Sequence, residues 1–106
     1  MLYSKEKVYQ QIESDAKLNE FSRCIAFGSR VTGDHRPDSD LDVYIEVGKP
    51  FSFDVIGQVE SIKESIADRF GLVVHTTVGD FSTLTDSLRE AIFERGELIY
   101  DAARTR

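Results

Sequence analysis

Chemistry concentrates between Gly28 and Ile45. This stretch holds a Gly28-Ser29 turn, a loop bearing Arg30, His35 and Arg36, and two aspartates, Asp40 and Asp42, one residue apart. The aspartates open an apolar-alternating run, Leu41, Val43 and Ile45, which predicts a β-strand. Successive strand side chains point to opposite faces, so Asp40 and Asp42 share one face while the aliphatic residues enter a core on the other. Carboxylates so spaced lie roughly 6–7 Å apart along the strand. They can converge on a hard divalent cation, which takes oxygen ligands. The Gly-Ser turn offers backbone N–H groups and a hydroxyl to phosphate oxygens. Phosphate cradle and metal clamp together predict chemistry on a nucleoside triphosphate.

Spacing separates this reading from its rivals. Gly28 and Gly33 stand where a P-loop carries glycines, but that loop continues with Lys-Ser/Thr, and here Asp34-His35 follows. Asp38, Asp40 and Asp42 imitate the opening of an EF-hand loop, which needs Gly at its sixth position and Glu at its twelfth. Those positions hold Val43 and Lys49. A solvated turn with ordinary turn glycines explains the composition of the stretch but not its whole spacing.

Gly28-Ser29, ten residues and then Asp40-Leu41-Asp42 resemble the signature of nucleotidyltransferases of the DNA polymerase β superfamily, specifically the minimal nucleotidyltransferase (MNT) proteins. The fuller pattern, Gly-Ser-Arg-x-x-Gly-x-x-Arg-x-x-Ser-Asp-x-Asp, is also met at Arg30, Gly33, Arg36 and Ser39. The likeness runs from the strand before Gly28 to Leu98-Ile99-Tyr100. It implies that Asp40 and Asp42 are catalytic and hold Mg²⁺ or Mn²⁺, and that Gly28, Ser29, Arg30, Gly33 and Arg36 bind the nucleotide. It further implies transfer of a nucleoside monophosphate, AMP from ATP, to a hydroxyl.

The third strand departs from the pattern. The family reads apolar-Asp-apolar there, and the matching stretch Leu72 to Val78 carries His75 at the acid's position. A neutral imidazole can still accept a proton, but it is a poorer partner for Mg²⁺. Asp80 and Glu46, the latter in phase with Asp40 and Asp42, are weaker substitutes. MNT proteins often act as antitoxin to a small helical HEPN toxin, some by adenylylating a tyrosine on it. The resemblance therefore implies a HEPN-type partner and a protein hydroxyl as acceptor. A degenerate module that neutralises its partner by contact is the alternative that His75 favours.

Composition sets the outer limits. With 106 residues, 41% apolar and 30% charged, the chain is expected to form one domain over residues 1–106, with a modest core. No apolar stretch approaches a membrane span, and Met1 to Lys7 is too polar for a signal peptide. A lone cysteine, Cys24, excludes an intrachain disulfide and reads as a buried strand residue. The cytoplasm is the expected location. Net charge of −6, with no basic stripe, argues against a long nucleic acid. Arg23, Arg30 and Arg36 suit a triphosphate better than a duplex. The sequence leaves a homo-oligomer open.

The elements that must position these residues alternate along the chain. A helix from a Ser4 cap to about Leu18 carries Val8, Ile12 and Ala16 on one side. Phe21 to Phe27 reads as a strand, Arg30 to Gly33 as a helical turn, and Pro37 helps end the loop before a strand from Asp40 to Val47. Gly48-Lys49-Pro50 is a break. Asp54 to Phe70 has helical spacing, with Gly71 as its stop. A third strand runs from Leu72 to Val78, bounded by Gly79-Asp80. A last helix is expected over Thr83 to Arg95, with Leu84, Leu88, Ala91 and Ile92 as its buried stripe. Gly96 ends it, Glu97 to Tyr100 adds an edge strand, and Ala102 to Arg106 is a frayed tail. The predicted fold class is α/β (α+β): a small mixed sheet with helices packed on one face, in agreement with the nucleotidyltransferase palm.

Overall fold

Ser4 opens the first helix as its sequence suggests: its hydroxyl accepts the Lys7 N–H at 3.4 Å, satisfying one of the donors a helix start leaves unpaired. This helix, α1 (Lys5–Leu18), buries Val8, Ile12 and Ala16 completely. The computed structural model describes residues 4–33, 39–48, 53–79 and 81–104. His35, Arg36, Pro37, Lys49, Pro50, Asp80 and the last two residues of the expected tail lie outside the described residues.

After α1 come β1 (Arg23–Phe27), a single helical turn α2 (Ser29–Thr32), β2 (Leu41–Glu46), α3 (Phe53–Phe70), β3 (Val74–Gly79), α4 (Asp86–Arg89) and β4 (Glu97–Asp101). The four strands form one sheet in the order β3-β2-β1-β4. Neighbours β1 and β2 are antiparallel, as are β1 and β4. Strands β2 and β3 are parallel, and α3 makes the crossover such a pair requires. The mixed sheet and the edge position of β4 match the expectation.

One face of the sheet carries Cys24, Ala26, Leu41, Val43 and Ile45, packed against α1 and the Val55, Val59, Ile62 and Ile66 stripe of α3. Truncating one fully buried aliphatic here, such as Ile12→Ala, costs about 2–5 kcal/mol. Burial pushes the Cys24 thiol up to about 12, so it stays neutral inside this core.

The opposite face is also covered, and here the structure corrects the one-faced expectation. Ile25, Phe27 and Tyr44 form a second cluster with Leu84 and Ile92, joined by the partly buried Leu88 and Ala91. The cause is legible in β1: Arg-Cys-Ile-Ala-Phe is apolar on both faces after its first residue, so a central strand of this kind needs cover on both.

The covering segment is helical without a break only from Asp86 to Glu94, shorter than the helix expected over Thr83 to Arg95. A 3₁₀ turn at Phe81–Thr83 comes first, and Thr85 then caps α4 by accepting the Leu88 N–H at 3.2 Å. The last turn, Glu90–Glu94, is widened to π geometry, closing with Arg95 N–H on the Glu90 carbonyl at 3.2 Å. Gly96 follows, so close to the sheet that a Cβ there would lie 2.7 Å from Ile25 Cγ2.

The remaining differences are at element ends. Strand β1 starts at Arg23 rather than Phe21, because the Phe21 N–H still bonds the Ala16 carbonyl at 2.9 Å. Strand β3 starts at Val74 rather than Leu72. Ala102–Arg104 forms a 3₁₀ turn instead of fraying, tied down by the Ala102 N–H on the Ser22 carbonyl at 3.0 Å.

Candidate active site

The site is built where β1 ends and β2 begins. Phe27 and Asp42 are register partners across the antiparallel pair, which sets Gly28 beside the second aspartate. Gly28 has φ +84° and ψ −160°, a backbone state that residues with a Cβ avoid. A second constraint acts on the same residue. A Cβ there would overlap Asp42 Oδ2 and lie 3.3 Å from Asp42 Cγ. The glycine is thus required twice, once for the turn and once for the close approach of the carboxylate. Nothing in the local sequence signals the second role. Gly28→Val would accordingly strain the turn and displace Asp42 together.

Ser29 begins α2 and is half-buried, while Gly33 closes the turn in the left-handed conformation with its N–H on the Ser29 carbonyl at 2.9 Å. Arg30, expected on the nucleotide, donates its Nε–H to the Ser39 carbonyl at 2.7 Å. It therefore fastens the far end of the loop one residue ahead of Asp40. Asp40 is exposed and precedes β2 rather than belonging to it.

Asp42 and His75 are register partners across the parallel β2–β3 pair, and His75 Nδ1 lies 3.3 Å from Asp42 Oδ1. The histidine side chain is 67% exposed and the aspartate 29%, so both are open to a ligand. Gly28, Asp42 and His75 thus meet on neighbouring strands, at the position where the sequence pattern called for a third acid. Among the described residues, no three His, Cys, Asp or Glu side chains come together as a metal-holding group. Mg²⁺ is usually bound through one or two carboxylates plus phosphate oxygens of its substrate. Asp40 and Asp42 are of the right type for it.

Two expectations about the surrounding charged residues are corrected. Glu46, weighed as a substitute acid, lies at the other end of β2, about 13 Å along the strand from Asp42. There its Oε2 accepts from Arg23 at 2.8 Å and from the Tyr44 hydroxyl at 2.9 Å. Arg23, grouped with the triphosphate-facing cations, is Glu46's register partner, and its guanidinium lies 4.8 Å from the centre of the Phe93 ring. Both are structural, and alternation alone could not tell Glu46 from Asp42.

The chain has likenesses among known proteins. The family model described as "Polymerase beta, Nucleotidyltransferase" matches residues 6–105. No protein of curated function matches the chain in sequence. Among solved structures, the chain is similar to one in a toxin–antitoxin crystal structure with AMP-PNP, at 14% identity and a TM-score of 0.67, covering 89% of this chain and 73% of the other. It is similar to a chain of a mutant MntA-HpeT toxin–antitoxin at 10% identity and a TM-score of 0.67, with 94% and 75% covered. A third similar chain comes from the structure of a tri-AMPylated Shewanella oneidensis HEPN toxin in complex with MNT antitoxin, at 11% identity and a TM-score of 0.64, with 95% and 76% covered. At these identities the likeness is one of fold.

Proposed function

The chain belongs to the polymerase β nucleotidyltransferase family, and from that premise we propose that it transfers AMP from ATP to a hydroxyl group, with a tyrosine of a HEPN-type helical protein as acceptor. The observation that carries this reading is the convergence of Gly28, Asp42 and His75, with Asp42's carboxylate seated where a Cβ on residue 28 would intrude. The matched structures that hold AMP-PNP or an AMPylated HEPN toxin support the choice of nucleotide and acceptor.

The residues divide the work. The Gly28-Ser29 turn receives the phosphates beyond the transferred group, through backbone N–H groups and the Ser29 hydroxyl. Asp40 and Asp42 would hold Mg²⁺ or Mn²⁺, which when bound supplies charge stabilisation to the phosphoryl oxygens. The acceptor oxygen bonds to the α-phosphorus, the bond to the bridging oxygen breaks, and pyrophosphate leaves. His75, on the open side of Asp42, takes the hydroxyl proton at a ring nitrogen. Arg30 keeps the loop end closed ahead of Asp40 through Ser39.

A second reading rests on the same histidine. With imidazole where the family has a carboxylate, the protein neutralises its partner by contact and transfers little. Incorporation of label from ATP marked at the α-phosphate into a HEPN-type partner separates the two. We expect label with wild type and none with Asp42→Asn. Absence of label above the Asp42→Asn background, in Mg²⁺ and in Mn²⁺, leaves the contact reading.

A further inference from the structure

Far from this site, the outer side of α1 and α3 carries a groove that none of the described residues fills. It has a volume of about 520 Å³ and lies between the C-terminal end of α1 and the N-terminal half of α3. Leu18 and Phe53 line it and are 80% and 89% exposed, the two most exposed large apolar residues among those described. Leaving both in water forfeits the burial that such side chains ordinarily gain.

A feature of α3 points the same way. Gly57 sits inside the helix, where glycine is destabilising relative to alanine. Neither its backbone nor its packing demands it, for a Cβ at Gly57 would meet nothing within 4 Å among the described residues. A bare stretch of helix at the floor of a groove lets another chain approach closely.

Charge selects the occupant. Asp15 and Asp54 lie along the groove, and among the described residues no cation lines it. With a net charge of −6, a second copy of this acidic chain is a poor match. We propose that the groove docks a helix from a different protein, one presenting an apolar side chain between Leu18 and Phe53 with lysine or arginine flanking it. This surface belongs to the helical layer on the Cys24 face of the sheet, whereas Asp42 is in phase with Tyr44 on the other face. Docking there leaves the nucleotide site open, and its test does not depend on AMP transfer.

The probe is a fluorescent helical peptide with leucines along one face and flanking lysines, titrated against the full chain by anisotropy. We expect saturable binding that weakens with salt, at least tenfold loss in Leu18→Ser with Phe53→Ser, and unchanged affinity in Asp42→Asn. Asp15→Asn with Asp54→Asn should weaken binding and flatten its salt dependence. Gly57→Gln should raise the melting midpoint of the free protein, since glutamine is a better helix former, and still lose the peptide. Circular dichroism establishes that each variant is folded. Equal binding by the Leu18/Phe53 double variant, or by a peptide flanked with glutamates, overturns the proposal. So does a concentration-dependent dimer in sedimentation that the double variant dissociates, which would make a second copy the occupant.

Discussion

The two ends of β2 carry acids in the same phase, and their fates are opposite. Glu46 is tied to Arg23 and the Tyr44 hydroxyl, with Phe93 stacked alongside Arg23, so its charge is balanced and its Oε2 accepts two hydrogen bonds. Asp42, four residues earlier, faces a glycine and an exposed histidine. A carboxylate surrounded by partners holds a fold together, whereas one held rigidly beside open space is available to a ligand. The strand supplies the direction of each side chain, and the neighbouring strands supply its role.

Matched substitutions at the two ends should have the largest and most opposed effects. Asp42→Asn should lower AMP transfer on the order of 10²–10³-fold and leave urea unfolding nearly unchanged. Glu46→Gln should do the reverse, leaving transfer in the folded protein within a few-fold of wild type. It should cost about 1–3 kcal/mol of stability, because the half-buried Arg23 loses its charged partner. Equal effects on activity from the two variants would erase the distinction between the ends.

Gly28→Ala comes next, and it tests why the open end stays open. The added methyl meets the Asp42 carboxylate and forces a strained backbone, so transfer should fall nearly as far as with Asp42→Asn. Stability should drop by about 1–3 kcal/mol. A variant with normal melting and normal transfer would show that the carboxylate does not need its place beside the turn.

His75→Asp restores an acid at the open end and so makes the contrast with Glu46 steeper. Mg²⁺-dependent transfer should rise by about tenfold, a small part of what a positioned acid or base supplies. The new pair of like charges across β2 and β3 should cost up to about 1 kcal/mol, read from thermal melts. Unchanged transfer together with unchanged neutralisation of a partner would favour the contact reading.

The smallest effect is expected at the sheet edge, where Glu97 is a third kind of acid. The Lys5 ammonium, hydrogen-bonded at 2.7 Å, holds Glu97 below the usual carboxylate range, with the Tyr9 hydroxyl in support. A lowered value in the folded state means the contribution is present above the unfolded value and lost as pH falls through the folded one. Because the pair is exposed, Glu97→Gln should cost no more than about 1 kcal/mol at neutral pH and less in high salt. Its melting should also vary less with pH through the acid range than that of wild type.

Much of the fold is legible in local sequence patterns. The spacing of Val8, Ile12 and Ala16, the stripe of α3 and the alternation after Asp42 each have a period that sets which face is buried, and these elements form where that period places them. The C-terminal segment is not legible in the same way. Its apolar residues fit one helix, yet the cap at Thr85 starts that helix at Asp86 after a separate 3₁₀ turn, and its last turn widens to π geometry just before Gly96, which packs close to Ile25. Neither the capping partner nor the close approach is encoded in a period.

At the site, residue types and their order are written in the chain: a glycine-serine turn, two alternating aspartates, and a histidine where a third acid would stand. Those depend on covalent spacing and strand alternation, which any stretch of chain carries with it. Folding of the whole sheet was needed to lay His75 against Asp42, to make Gly28 admit that carboxylate, and to let Arg23 and Glu46 satisfy one another at the far end. These are contacts between strands brought together by register, and register is fixed by the packing of the whole sheet rather than by any one segment.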